Sequence, residues 1–82
     1  MEHLTGMAVF AKVAETKSFS AAAERLGLSK SAVSKHITRL ERALKARLLN
    51  GTTRRLCLTE VGATFYEHCA PMLAEAEAAE LA

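Results

Sequence analysis

Residues 18–41 read SFSAAAERLGLSKSAVSKHITRLE, and the fold turns on them. The helix formers Ala21, Ala22, Ala23, Glu24 and Arg25 follow Ser20, whose hydroxyl suits an N-cap. Gly27 suits the left-handed residue that closes a helix. Ser29 then offers a second N-cap. Beyond it Val33, Ile37, Leu40, Leu44 and Leu48 recur at i, i+4, i+7, i+11 and i+15. That period predicts a second, longer helix over about residues 30–48 with one narrow buried stripe.

The far side of this second helix carries the chemistry. At about 100° per residue, Ser31, Ser34, Lys35, Thr38, Arg39 and Arg42 fall on the arc opposite the stripe. This arc holds hydroxyls and cations and no carboxylate, whereas a solvated face ordinarily mixes signs. A helix, a glycine turn and a second helix with such a face form a helix-turn-helix arrangement. Ser, Thr, Lys and Arg are the side chains that address phosphates and base edges in a major groove. On this stretch alone, an ordinary helical hairpin with a basic surface is the alternative.

The whole chain sets bounds on this reading. Its 82 residues allow one small domain, of a size that buries about 60% of its unfolded surface. Half of the residues are hydrophobic and only 5% aromatic, which suits a helical core of Leu, Val and Ala. No apolar run approaches the ~20 residues that span a membrane. The opening MEHLTGM lacks a basic segment followed by an apolar one, so no secretory signal is visible. Cys57 and Cys69, the only cysteines, make no disulfide framework, and a reducing cytoplasm is expected. The net charge of +2 hides a segregation. Nine basic residues and one acid, Glu41, lie between Arg25 and Arg55, a local charge of +8. From Glu60 onward there are five acids and no Lys or Arg, a local charge of −5. A basic middle points to a polyanion partner, and an acidic tail to a segment held away from it.

In chain order, Leu4, Met7, Phe10, Ala11 and Ala14 repeat at helical spacing and predict a first helix over roughly His3 to Thr16. Phe19 reads as a core residue near the start of the next helix. After Leu49 the helical pattern stops. Asn50-Gly51 is a turn dipeptide. From Thr53 to Leu58 the pattern alternates, Arg55 and Cys57 to one side and Leu56 and Leu58 to the other. Two short strands, around 47–49 and 55–58, are expected to form a β-wing. A lone two-stranded ribbon is marginal, so Leu49, Leu56 and Leu58 must lean on the helical core. Thr52, Thr53, Arg54 and Arg55 at its tip suit phosphates or a minor groove.

Thr59 is expected to cap a long last helix, with Glu60 favourable at its positive end. Val61, Phe65, Cys69, Met72 and Ala76 make one stripe along it, and Ala63, Tyr66, Ala70, Leu73 and Glu77 an adjacent one. A helix of about 23 residues extends about 35 Å, too far for so small a core to cover. Isolated helices are marginal in water, so its far half is expected to pair with a second copy. Pro71 removes one backbone bond and predicts a kink. The closing AEAEAAELA carries no C-terminal cap and reads as a cut inside a longer protein.

These motifs, in this order and ending in TTRRLCLTEVG before the long helix, resemble the N-terminal DNA-binding domain of LysR-type transcriptional regulators. The resemblance covers essentially the whole chain. It implies a mostly α fold: a winged helix-turn-helix of three helices and a two-stranded wing over residues 1–58, then a linker helix over 59–82. It implies sequence-specific binding of double-stranded DNA with inverted-repeat half-sites by a homodimer joined antiparallel through the last helix. Any small-molecule effector would act through a further domain. The groove-facing positions it implies are Lys30, Ser31, Ala32, Ser34 and Lys35, with Thr38 and Arg39 nearer the backbone. Ser20 and Ser29 match positions where a capping hydroxyl also reaches phosphate, and Thr53 and Arg54 match the wing tip. The dimerisation residues are expected to be Val61, Phe65, Tyr66, Cys69, Met72 and Leu73. Four positions depart from the usual pattern. His36 stands for a common Gln, Lys35 for a frequent Arg, Ser31 for a frequent Pro, and Gly51 for a bulky, often basic residue. Lysine is less directional than a bidentate arginine, which implies looser base readout at Lys35.

Other chemistries find little support. His3, His36, His68 and the two cysteines show no chelating spacing, so no metal site is expected. No Gly-rich phosphate loop, nucleophile elbow or paired catalytic carboxylates appear, and neither an enzyme nor a cofactor is expected. The rival from another class is a protein-interaction module whose long helix binds another protein. It leaves the carboxylate-free face and the basic wing unexplained.

Overall fold

The computed structural model describes residues 3–52 and 55–81. Its elements are α1 (Leu4–Thr16), α2 (Phe19–Leu26), α3 (Lys30–Leu44), β1 (Leu49–Thr52), β2 (Arg55–Leu58) and α4 (Glu60–Leu81). The architecture is the mostly helical, winged helix-turn-helix with a long last helix that the sequence predicts.

Local chemistry starts and stops these helices. Ser18, not Ser20, is the N-cap of α2: its backbone is extended and its Oγ accepts from the Ala21 N–H at 3.1 Å. The helix therefore begins at Phe19 and Ser20 lies in its first turn, exposed. Gly27 closes α2 in the left-handed conformation, and Ser29 Oγ caps α3 by accepting from the Ala32 N–H at 3.1 Å. Helix α3 ends at Leu44, four residues short of the expected end. Lys45 turns left-handed (φ 55°), its N–H bonds back to Arg42 O, and the Ala46 N–H bonds to Glu41 O. The spacing of Leu44 and Leu48 hid this stop. Leu48 is fully buried in the connection beyond the helix, whereas Leu44 is exposed.

The wing is one antiparallel pair, with Leu49 opposite Leu58 and Thr52 opposite Arg55. Strand β1 therefore starts two residues later than expected, and Asn50-Gly51 lies within it rather than at a turn. Gly51 takes φ +101°, and a Cβ there would meet Arg55 O at 1.9 Å. No larger residue fits that backbone. Leu49 is buried and Leu56 and Leu58 pack against the helical core, while Arg55 and Cys57 face out.

The core gathers Val9, Phe10 and Val13 of α1, Val33 and Leu40 of α3, and Leu48. Each such side chain, fully buried, stabilises the fold by about 1.5–3 kcal/mol relative to an exposed one. Thr59 caps α4: its Oγ accepts from the Gly62 N–H and donates to Arg47 O. The first half of α4 completes the core. Phe65 and Tyr66 pack on Phe10, with ring centroids 5.7 and 6.4 Å away. The helix continues through Pro71 to Leu81, and every residue from Ala74 to Leu81 is exposed. Lys12 ties this far half to α1: its Nζ lies 2.9 Å from Glu77 Oε2 and 2.8 Å from Glu15 Oε2.

Candidate nucleic-acid interface

Helix α3 turns Val33, Ile37 and Leu40 into the core. The same rotation sets Lys30, Ser31, Ser34, Lys35, Thr38, Arg39 and Arg42 in solvent, with Ala32 half-buried at the margin. Ser31, Ser34, Lys35, Thr38 and Arg42 thus share one open face, with Lys30 and Arg39 at its opposite edges. Among the described residues, no ion pair engages Lys30, Lys35, Arg39 or Arg42. Four uncompensated cations on one face set up the field that attracts a polyanion. The helix N-terminus adds to it, since backbone N–H groups and the helix dipole both favour an anion there. Ser29 and Ser31, with hydroxyls 3.3 Å apart, stand at that end. Ser20 is also exposed, in the first turn of α2. Thr53 and Arg54 lie outside the described residues.

Glu41, the only carboxylate on α3, projects from the same side as Ser34 two turns earlier, but its carboxylate is drawn onto the connection that follows the helix. Its side chain is only 18% exposed. Its Oε2 accepts from the Leu48 N–H at 2.8 Å and from the Leu49 N–H at 3.4 Å, with Arg47 Nε 3.7 Å away. In the sequence, Glu41 is merely one acid among nine bases. Its role depends on a connection that doubles back against α3, which helical periodicity does not reveal.

The residues expected to dimerise divide between two environments. Cys69 is a core residue, 1% exposed, so it is not available to a partner. Its place on the stripe faces α1, and burial pushes its thiol above the ordinary cysteine range. Phe65 and Tyr66 are half-buried on Phe10. Val61 is exposed, whereas Met72 and Leu73 are half-buried along a shallow apolar groove that Leu4, Ala8 and Ala76 also line. Among the described residues, no cluster of three His, Cys, Asp or Glu side chains is placed to hold a metal, and no helix is long and apolar enough to cross a membrane.

Comparison with known proteins agrees with this geometry. Residues 4–63 match the family described as bacterial regulatory helix-turn-helix protein, lysR family. An HTH-type transcriptional regulator of Xanthomonas campestris pv. campestris is 53% identical over 74 residues, covering 90% of this chain and 22% of that protein. The HTH-type transcriptional activator AaeR of Escherichia coli K12 is 47% identical over 77 residues, covering 94% of this chain and 25% of the activator. The chain thus spans about a quarter of the length of the curated relatives it matches. In a solved complex of the CbnR DNA-binding domain with DNA, the protein is 30% identical with a TM-score of 0.80, covering 94% of this chain and 88% of that one.

Proposed function

The chain belongs to the lysR family of bacterial regulatory helix-turn-helix proteins, which are DNA-binding transcriptional regulators and not enzymes, and from that premise we propose how it reads DNA. The start of α3 enters the major groove and brings Lys30, Ser31, Ala32, Ser34 and Lys35 to base edges. Thr38 and Arg39 meet the backbone, as do Ser20 and Ser29 beside the helix ends. The wing tip, Thr53 and Arg54, follows the flanking minor groove or its phosphates. One observation carries this reading: the exposed face of α3 holds Lys30, Lys35, Arg39 and Arg42, while its single acid is folded onto the wing. Affinity then comes from cations displacing condensed counterions, and specificity from a few side chains and DNA shape.

The chain acts as a homodimer on inverted-repeat half-sites. Its partner surface is the outer side of α4, where Val61 is exposed and the far half from Ala74 is uncovered. Five acids and no Lys or Arg lie along that helix. A parallel, in-register pair would stack like charges, whereas an antiparallel pair spreads them and sets two winged domains at opposite ends. Residues 1–58 form the reading unit and 59–82 the linker and dimerisation helix. A small-molecule effector acts through the part of the relatives' length that this chain does not span. The site of action is the bacterial cytoplasm, where the DNA is.

Selection of bound sequences from a random duplex pool, then titration of the best duplex against salt, tests the reading. A selected inverted repeat should bind more tightly than one half-site. Its log Kd should rise with log salt by about 0.9 per phosphate neutralised. Enrichment of no sequence would refute specific readout. Sedimentation of the free chain as a monomer at tens of micromolar, with no preference for the full repeat, would refute the dimer alone.

A further inference from the structure

Two polar clamps meet at residues 47–49, where the helix-turn-helix hands over to the wing. From the α3 side, Glu41 Oε2 accepts the backbone N–H groups of Leu48 and Leu49. From the α4 side, the Thr59 N–H donates to Leu48 O at 3.0 Å, and its hydroxyl donates to Arg47 O. Gly62 closes the same spot, since a Cβ there would stand 2.0 Å from Leu48 O. Recognition helix, wing and last helix thus converge on one short stretch of backbone.

We propose that Glu41 is a positioning residue for DNA recognition: its carboxylate fixes the wing against α3, so that both engage the duplex as one rigid reader. This rests on the reading that α3 and the wing both meet DNA.

Three observations support it. The wing is a lone two-stranded hairpin, which is marginal in water and takes its orientation from whatever anchors its base. The anchor is strong, because a carboxylate accepting backbone N–H groups makes charge-assisted bonds. The Glu41–Arg47 pair is not the reason for the acid, as Arg47 is 74% exposed at 3.7 Å and such pairs contribute little. A negative charge on a recognition helix opposes DNA binding. Directing it onto two amides turns that charge into a structural anchor and keeps the outer face basic.

The test uses the intact chain on its selected duplex at saturating protein, read by hydroxyl-radical footprinting, with Glu41→Ala and Glu41→Gln. Wild type should protect the centre of each half-site and the flanking minor groove. Glu41→Ala should keep the centre, lose the flank, and lower the salt slope by about 1–2 units as wing contacts are lost. Glu41→Gln, which keeps an acceptor oxygen, should restore the flank. Amide exchange in the free protein should show Leu48 and Leu49 exchanging about tenfold faster in Glu41→Ala, with Val33 and Leu40 unchanged. Should Glu41→Ala not fold, Glu41→Asp, one methylene too short for the contacts, replaces it with the same expectations. Flank protection and amide exchange in the Ala or Asp variant equal to wild type would overturn the proposal. So would a Gln variant as defective as Ala. A wild-type footprint without any flank would refute the wing's role on DNA itself, and this inference with it.

Discussion

Lys12 offers a test of what holds the last helix to the body. Its side chain is 5% exposed, while its partners Glu15 and Glu77 are 47% and 50% exposed. This asymmetry makes the two ways of breaking the cluster unequal. Lys12→Met removes the buried charge, keeps an unbranched apolar stem, and returns two half-exposed carboxylates to water. Its cost should be about 1 kcal/mol or less, the range of exposed ion pairs. Glu15→Ala/Glu77→Ala instead leaves a buried ammonium without a partner. A fully buried orphan charge costs about 3–5 kcal/mol. Here the truncations admit water, so about 2–3 kcal/mol is expected. In a domain of this size each kcal/mol shifts Tm by about 4–8 °C. The pH dependence should reverse as well. In wild type the hydrogen bonds to Glu15 and then Glu77 raise the Lys12 pKa above 10.5 against the opposing effect of burial. That stabilisation is present below the unfolded value and is lost as pH rises through the folded one. In the double alanine variant only burial acts, so the folded pKa falls below the unfolded one. The penalty is then relieved as pH rises through that lowered value. Urea melts at about pH 7 and about pH 10, at one protein concentration, read both signs. A double variant as stable as Lys12→Met near neutrality would refute the reasoning.

Other perturbations separate cap, junction and groove. Ser18→Ala should cost about 1 kcal/mol by removing the cap of α2, while Ser20→Ala should stay within about 0.5 kcal/mol, as urea melts of the two will show. Gly62→Ala forces a Cβ against Leu48 O and should cost about 1–3 kcal/mol as an overpacked backbone contact, read as a lower Tm. Lys35→Ala should weaken binding to the selected duplex by about 1–3 kcal/mol relative to random duplex if Lys35 reads a base, and equally on both if it meets only phosphate.

The parts of this molecule legible in the sequence are those whose causes lie within one turn of helix or one strand. The Ser29 cap, the Gly27 stop, the Val33–Ile37–Leu40 stripe and the Thr59 cap each need a neighbour three or four residues away. The alternation from Arg55 to Leu58 needs only a period of two. Where two local solutions compete, the sequence alone does not decide between them. Ser18 and Ser20 both offer hydroxyls, and the packing of Phe19 against the core accompanies a helix start at Ser18. Leu44 and Leu48 extend one period across a helix end that Lys45 makes without a glycine.

Other features were hidden because their causes are distant in sequence. Lys12 sits in an apolar-looking helix, and its Glu77 partner is 65 residues away. Cys69 lies on a stripe of α4 that suits a partner helix equally well until α1 is seen to occupy it. This difference bears on function. The groove face depends on the rotation of one helix, which its own stripe sets. The wing and the proposed dimer surface depend on how several elements dock. Substitutions on the outer face of α3 should therefore alter which sequence is bound while leaving the fold intact. Substitutions at Glu41, Thr59 or Gly62, all of which contact residues 47–49, should alter how the reading elements are held together.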